Sequence, residues 1–325
     1  MPLPKYVSTG DRIVGFGPYL QEGTILHNWC VDGQKDRIQA KLDTMFAEPS
    51  GGEVRYTPLT SKLFLSVAEI ARIVPQNPID LVRGGVPEID VTIWSVAHRE
   101  GGGLLDMKWI PLWLGVDNDW AMATGREVYG FPKEICTFDF DPQLPDPADP
   151  RSFKTNAFAI PHYSQEATPT WLPLFDIKPI TGDDFTPPES SWWDKVEGFA
   201  ESVVERVGEH IIEGALKIAS EQAIARAIKG EAVVLPFLKQ FPDAADPTRA
   251  CYQAIIEAGT TINTFRKGGM TNTDYEITVH SYDTHPFYEE LGIAAGPQNV
   301  GPAVWVDFDF TMDLGHEVWR ADTGR

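Results

Sequence analysis

The chain has 325 residues, 42% of them hydrophobic and 23% charged, which is enough to build a sizeable core. Its net charge of -20, from 27 basic against 47 acidic residues, repels nucleic acid and anionic membrane surfaces and argues against both as partners. No stretch approaches the roughly 18 apolar residues of a membrane span, the first ten residues carry no apolar signal core, and Cys30, Cys136 and Cys251 form no CxxC pair. The expectation is a cytoplasmic protein of one domain, residues 1–325, with no metal.

Residues 25–32 read as a strand and residues 33–46 carry helical spacing at Ile38, Leu42 and Met45 or Phe46. Strand-like runs then follow at 53–58, 62–73, 88–98, 104–116, 120–124 and 135–140, separated by Gly- and Asp-rich turns. Residues 141–151 are rich in proline and aspartate and read as a surface loop, and residues 168–188 form a second proline-dense region. Residues 191–229 hold the longest helical pattern, with Val196, Phe199, Val203, Val207 and Ile211 on one face and a run of glutamates on another. Further strands are expected at 232–241, 250–266, 274–281 and 302–312, with a turn at Gly268-Gly269 and a short helix near 286–292. Short strands in such number imply a bent, mainly antiparallel sheet or a barrel, an α+β arrangement.

The most informative segment is Gly125-Arg126-Glu127-Val128-Tyr129-Gly130-Phe131-Pro132-Lys133-Glu134. It places a lysine directly after Phe-Pro in an apolar, extended context. Burial disfavours the charged form of an amine, and a neutral amine is a nucleophile for ketones. Glu69 and Glu88 are carboxylates in otherwise apolar strands, where an unpaired charge is costly. Each is a candidate proton shuttle. His280 and His285, five apart around Asp283, do not make a metal-ligand pattern. Gly101-Gly102-Gly103 lacks the strand–turn–helix setting of a phosphate loop. Trp109, Trp113 and Trp120 read as core or cavity-wall aromatics.

The Gly-Arg-Glu and Phe-Pro-Lys elements together resemble the active-site signature of the acetoacetate decarboxylase family. Weaker similarities lie at Gly17-Pro18-Tyr19, at Leu235 to Asp243, at Cys251 to Ala258, and from Val304 to Gly315. The resemblance implies an α+β fold, a bent antiparallel sheet closing into a barrel-like cavity. Residues 185–231 then read as a helical insertion. It implies that Lys133 forms the Schiff base without a cofactor and that Glu69 and Glu88 are acid–base groups. It also implies that Arg126, Tyr129 and Phe131 lie at the substrate, and that the protein forms a homo-oligomer.

The sequence departs from the family's pattern twice. Glu134 stands where the family has a second lysine, and an acidic neighbour facing the amine would hold it as ammonium. Adjacent strand residues point to opposite faces, however, so Glu134 is able to face away. The stretch Tyr19 to Asn28 also lacks the arginine that meets a substrate carboxylate in the family's decarboxylases. The readings left open are a decarboxylase of a keto acid or related ketone, an aldolase or dehydratase working through an enamine with a pyruvate-like donor, and a ligand-binding protein without turnover.

Overall fold

The computed structural model describes residues 6–7, 14–81, 84–102, 107–140, 146–180 and 233–322. The helical pattern at 191–229 and the insertion at 185–231 lie outside the described residues. Twelve strands are described: β1 (Tyr19–Asp32), β2 (Tyr56–Pro58), β3 (Lys62–Pro75), β4 (Val86–Arg99), β5 (Met107–Val116), β6 (Lys133–Phe140), β7 (Phe153–Ala159), β8 (Thr170–Pro179), β9 (Val233–Pro242), β10 (Ala250–Val279), β11 (Gly296–Met312) and β12 (His316–Arg320). Three short helices accompany them: α1 (Lys35–Leu42), α2 (Asp119–Thr124) and α3 (Phe287–Leu291).

The strands form one sheet in the order β2-β4-β3-β1-β11-β10-β8-β7-β6-β5-β9, with β12 on β10. Additional pairings of β4 with β5 and of β9 with β10 bring the sheet back onto itself. The result is an uneven ring rather than a regular barrel. Most pairings are antiparallel, but β5 runs parallel to both β6 and β9.

Both faces of β3 and β4 are covered, which is why these strands read as nearly continuous apolar runs. One face contributes Leu63, Leu65, Val67, Val91 and Ile93 to the larger core, which also holds Trp29, Phe153 and Tyr275. The other contributes Ala68 and Ile70 to a second cluster with Tyr19, Tyr129, Phe237 and Met312. The candidate cavity belongs to this second side.

Two local expectations are corrected, and a proline-dense region proves to hold a strand. Residues 120–124 are helix, not strand: the Asn118 side chain accepts a hydrogen bond from the Ala121 amide at 2.7 Å and caps α2. The proline-dense region at 168–188 contains strand β8, which runs through Pro173. That proline sits at a register shift against β7, beyond the Phe175–Pro179 stretch that pairs with β10. Gly268-Gly269 is not a turn, since β10 continues through it and bends at successive bulges against β11. A Cβ on Gly268 would stand 3.1 Å from the Trp305 carbonyl oxygen, so glycine serves the close approach of β11.

Candidate active site

Lys133 opens β6, where it pairs with Leu114 of the parallel strand β5. A π-helical turn, Gly125–Tyr129, leads into it from α2. That turn ends at Gly130, whose φ is 93°. A Cβ there would also meet the Lys239 Cα at 2.6 Å, so both backbone conformation and space require glycine. The Arg126 guanidinium donates to the Lys133 carbonyl oxygen at 2.9 Å and fixes the strand entry. Gly125 gives the lysine side chain its passage, because a Cβ at 125 would stand 2.7 Å from the Lys133 Cδ.

The Lys133 side chain enters a cavity of about 120 Å³, room for several waters or a small organic molecule. Its Nζ lies 3.0 Å from Glu88 Oε1. Both residues are buried, at 7% and 3% exposure, so the pair sits away from bulk solvent. The second carboxylate oxygen, Glu88 Oε2, is buried and has no hydrogen-bond partner among the described residues. It is available to a ligand. The Phe131 ring centroid lies 5.3 Å from the same Nζ.

Strand β4 directs Glu88, Asp90, Thr92 and Trp94 into the cavity on its alternate positions. The Thr92 hydroxyl donates to Asp90 Oδ1 at 3.0 Å. Burial, reinforced by the neighbouring Glu88 carboxylate, pushes the Asp90 carboxyl up to about 7, against the opposing pull of Lys133 and the Thr92 hydroxyl. These surroundings favour the neutral form of the Asp90 carboxyl. The remaining wall is aromatic and apolar, with Tyr19, Trp120, Tyr129, Phe131, Leu235 and Phe310 among its members. The Tyr19 and Tyr129 hydroxyls donate to the carbonyls of Gly15 and Asp313, each at 2.9 Å. Burial pushes both phenols upward, and they stay neutral.

No family model and no curated protein matches the chain. Solved structures do. An acetoacetate decarboxylase from Legionella pneumophila subsp. pneumophila str. Philadelphia 1 superposes with a TM-score of 0.59 at 12% identity, over 98% of this chain and 93% of that one. An acetoacetate decarboxylase-like enzyme from Sphingomonas wittichii RW1 gives 0.58 at 11% identity, over 98% and 99%. The enduracididine biosynthesis enzyme MppR, in its complex with pyruvate, gives 0.51 at 11% identity, over 95% and 93%.

The chain has the acetoacetate decarboxylase-like fold.

Within that fold the sequence candidates part company. Lys133, Glu88, Tyr129 and Phe131 line one cavity. Glu69 does not. In the register of β3 with β4, Ile70 faces Glu88 while Glu69 faces Ile89, so Glu69 points to the opposite side of the sheet. There it forms an ion pair with the buried Arg151, whose guanidinium stacks 4.7 Å over the Phe153 ring. Arg126 is exposed and acts on the Lys133 backbone rather than on the cavity.

Glu134 faces away from the cavity, as strand alternation allows. Its Oε1 accepts from the Trp113 indole at 2.9 Å and lies 2.7 Å from His285 Nε2. His280 pairs separately with Asp176. The acidic residue after Lys133 therefore makes no contact with the amine. Asp90 is the cavity group that sequence reading missed. Its signal was present: Glu88 and Asp90 are two apart on a strand, so whatever side one faces, the other shares.

Proposed function

We propose that this chain is a cofactor-independent, Schiff-base-forming lyase that acts on a small keto acid or related ketone through Lys133. The observation that carries the reading is the buried Lys133–Glu88 contact of 3.0 Å at the wall of a small cavity. The acetoacetate decarboxylase-like fold and its neighbours, one of them a complex with pyruvate, support it.

In this reading Glu88 accepts a proton from the lysine, leaving the amine neutral. The nitrogen lone pair adds to the carbonyl carbon, and the carbonyl π electrons become an O–H bond by taking a proton. The nitrogen gives up one of its two protons to a carboxylate, and a second proton, from Asp90 or Glu88, reaches the hydroxyl, which leaves as water while the nitrogen lone pair forms the protonated imine. The imine cation accepts an electron pair from a bond to the adjacent carbon. If that bond is to a carboxylate, carbon dioxide leaves. If it is C–H or C–C, an enamine forms that an aldolase or dehydratase would use. That Glu88 Oε2 is buried with no partner among the described residues supports a role for this carboxylate in taking such a proton. Tyr129 and Phe131 shape the ligand's apolar surroundings. A homo-oligomer remains part of the proposal on the strength of the fold alone.

The same 3.0 Å contact favours a second reading, in which Lys133 is a permanent ammonium neutralising Glu88 and the cavity only holds a ligand. Borohydride trapping separates the two. The protein is incubated with acetoacetate, pyruvate or methyl ethyl ketone near neutral pH and reduced, and adducts are mapped by mass spectrometry beside folded Lys133→Met. An adduct on Lys133, absent from the variant, is the result expected. Reaction at Lys133 only at strongly alkaline pH, as for an exposed lysine, would favour the binding protein.

A further inference from the structure

Resting on the Schiff-base reading, we infer that this cavity takes an uncharged ketone or aldehyde rather than a keto acid. The inference comes from the charges that face the ligand. Lys133 is the cation among the described lining residues, and two carboxyl groups, Glu88 and Asp90, lie on the same face of β4 beside it. Once Lys133 carries the substrate as an imine, its positive charge is already matched by Glu88 at 3.0 Å. A substrate carboxylate would add a second anion to a buried space, with no further cation described at the wall. Unpaired charge in such a space is strongly unfavourable.

The rest of the wall suits a neutral guest. Trp94, Trp120, Phe131, Leu114, Leu235 and Phe310 offer rings and alkyl groups. The hydroxyls of Tyr19 and Tyr129 are already engaged with backbone carbonyls rather than turned to an anion. Gln21, on β1, is a neutral amide.

The choice of substrate changes the chemistry. Without a carboxylate there is no carbon dioxide to lose. The electron pair that neutralises the imine then comes from a C–H or C–C bond next to it. In the simplest cycle the imine's neighbouring carbon gives a proton to Glu88, its C–H electrons form the enamine double bond, and a proton returns to that carbon. In heavy water this exchanges hydrogen for deuterium with no net redox change.

The test is competitive trapping on the unaltered protein. Methyl ethyl ketone is paired with pyruvate, and methyl butyl ketone with levulinate, whose carboxylate is too remote to alter the intrinsic reactivity of its carbonyl. Each rate at Lys133 is divided by that for Nα-acetyl-lysine in the same solution. The neutral member should trap faster in both pairs, by roughly tenfold or more, the direction set by like charges held close together in a medium of low dielectric. Equal or faster trapping of the anion in either pair overturns the inference and leaves the Schiff-base reading standing. No adduct at Lys133 from any of the four, in a folded sample, overturns both. Deuterium uptake by the neutral ketone, lost in Glu88→Gln, is the accompanying result expected.

Discussion

Replacing Gly125 by alanine isolates the positioning of Lys133 from the integrity of the fold. The added Cβ would stand 2.7 Å from the Lys133 Cδ, 3.0 Å from Cε and 3.4 Å from Nζ. Carbon atoms in comfortable contact lie about 3.5–4.0 Å apart, so the lysine stem must retreat by about 1 Å. The Nζ–Glu88 contact of 3.0 Å would then open to about 4 Å, beyond hydrogen-bond range. For stability, alanine in place of glycine in a helical backbone gains up to about 1 kcal/mol. Overpacking costs about 1–3 kcal/mol. The net loss is about 0–3 kcal/mol, and the variant should melt within about ten degrees of the parent. Misplacing a reactive group by about 1 Å can lower its rate about 100-fold. The assay is the borohydride trapping rate at Lys133 with methyl ethyl ketone, measured beside a thermal melt. A folded Gly125→Ala protein that traps at the parental rate would refute the claim that the Lys133–Glu88 geometry matters.

Glu88→Gln keeps the shape of the side chain but removes the proton acceptor, and trapping at Lys133 near neutral pH should slow by about 100-fold or more in stopped-time mass spectrometry. Asp90 gives a stability prediction with a definite sign. Its folded pKa is raised from 3.8 to about 7, so its contribution is fully present below about 4 and is lost as pH rises to about 7. His27 works in the opposite direction: burial lowers it to about 4, so its contribution is present above 6.5 and is lost as pH falls to about 4. Urea unfolding from pH 4 to 8 should show Asp90→Asn abolishing the first dependence while leaving the second. Glu134→Lys, which places a second lysine after the first, should not speed trapping, because position 134 faces Trp113 and His285. It should instead cost about 1–3 kcal/mol in chemical denaturation, through two lost partners of a charged group.

Much of the fold was legible because its strands obey local rules. The runs at 62–73, 88–98 and 135–140 became β3, β4 and β6 with edges moved by a few residues, since β-branched and aromatic content marks a pleated, buried strand wherever it lies. Lys133 was legible through its unusual setting and the resemblance that setting carries. What misled was context. Residues 120–124 are apolar enough for a strand, but they form a helix whose first turn Asn118 caps. Gly268-Gly269 looks like a turn until Trp305 is seen packed against it.

The sequence by itself determined the strongly acidic composition, the apolar runs that became β3 and β4, and an alternation that lets Glu134 face away from Lys133. These follow from composition and from the two-residue repeat of a strand, which are properties of the chain alone. Tertiary structure decided which glutamate meets the lysine. Glu69 and Glu88 are equivalent as isolated carboxylates in apolar strands, but the β3–β4 register sends one to Arg151 and the other to Lys133. It also decided that Asp90 joins them, because closing the sheet is what turns one face of β4 into a cavity wall. A strand's alternation divides residues into two sets, and only the packing of the whole sheet says which set faces the chemistry.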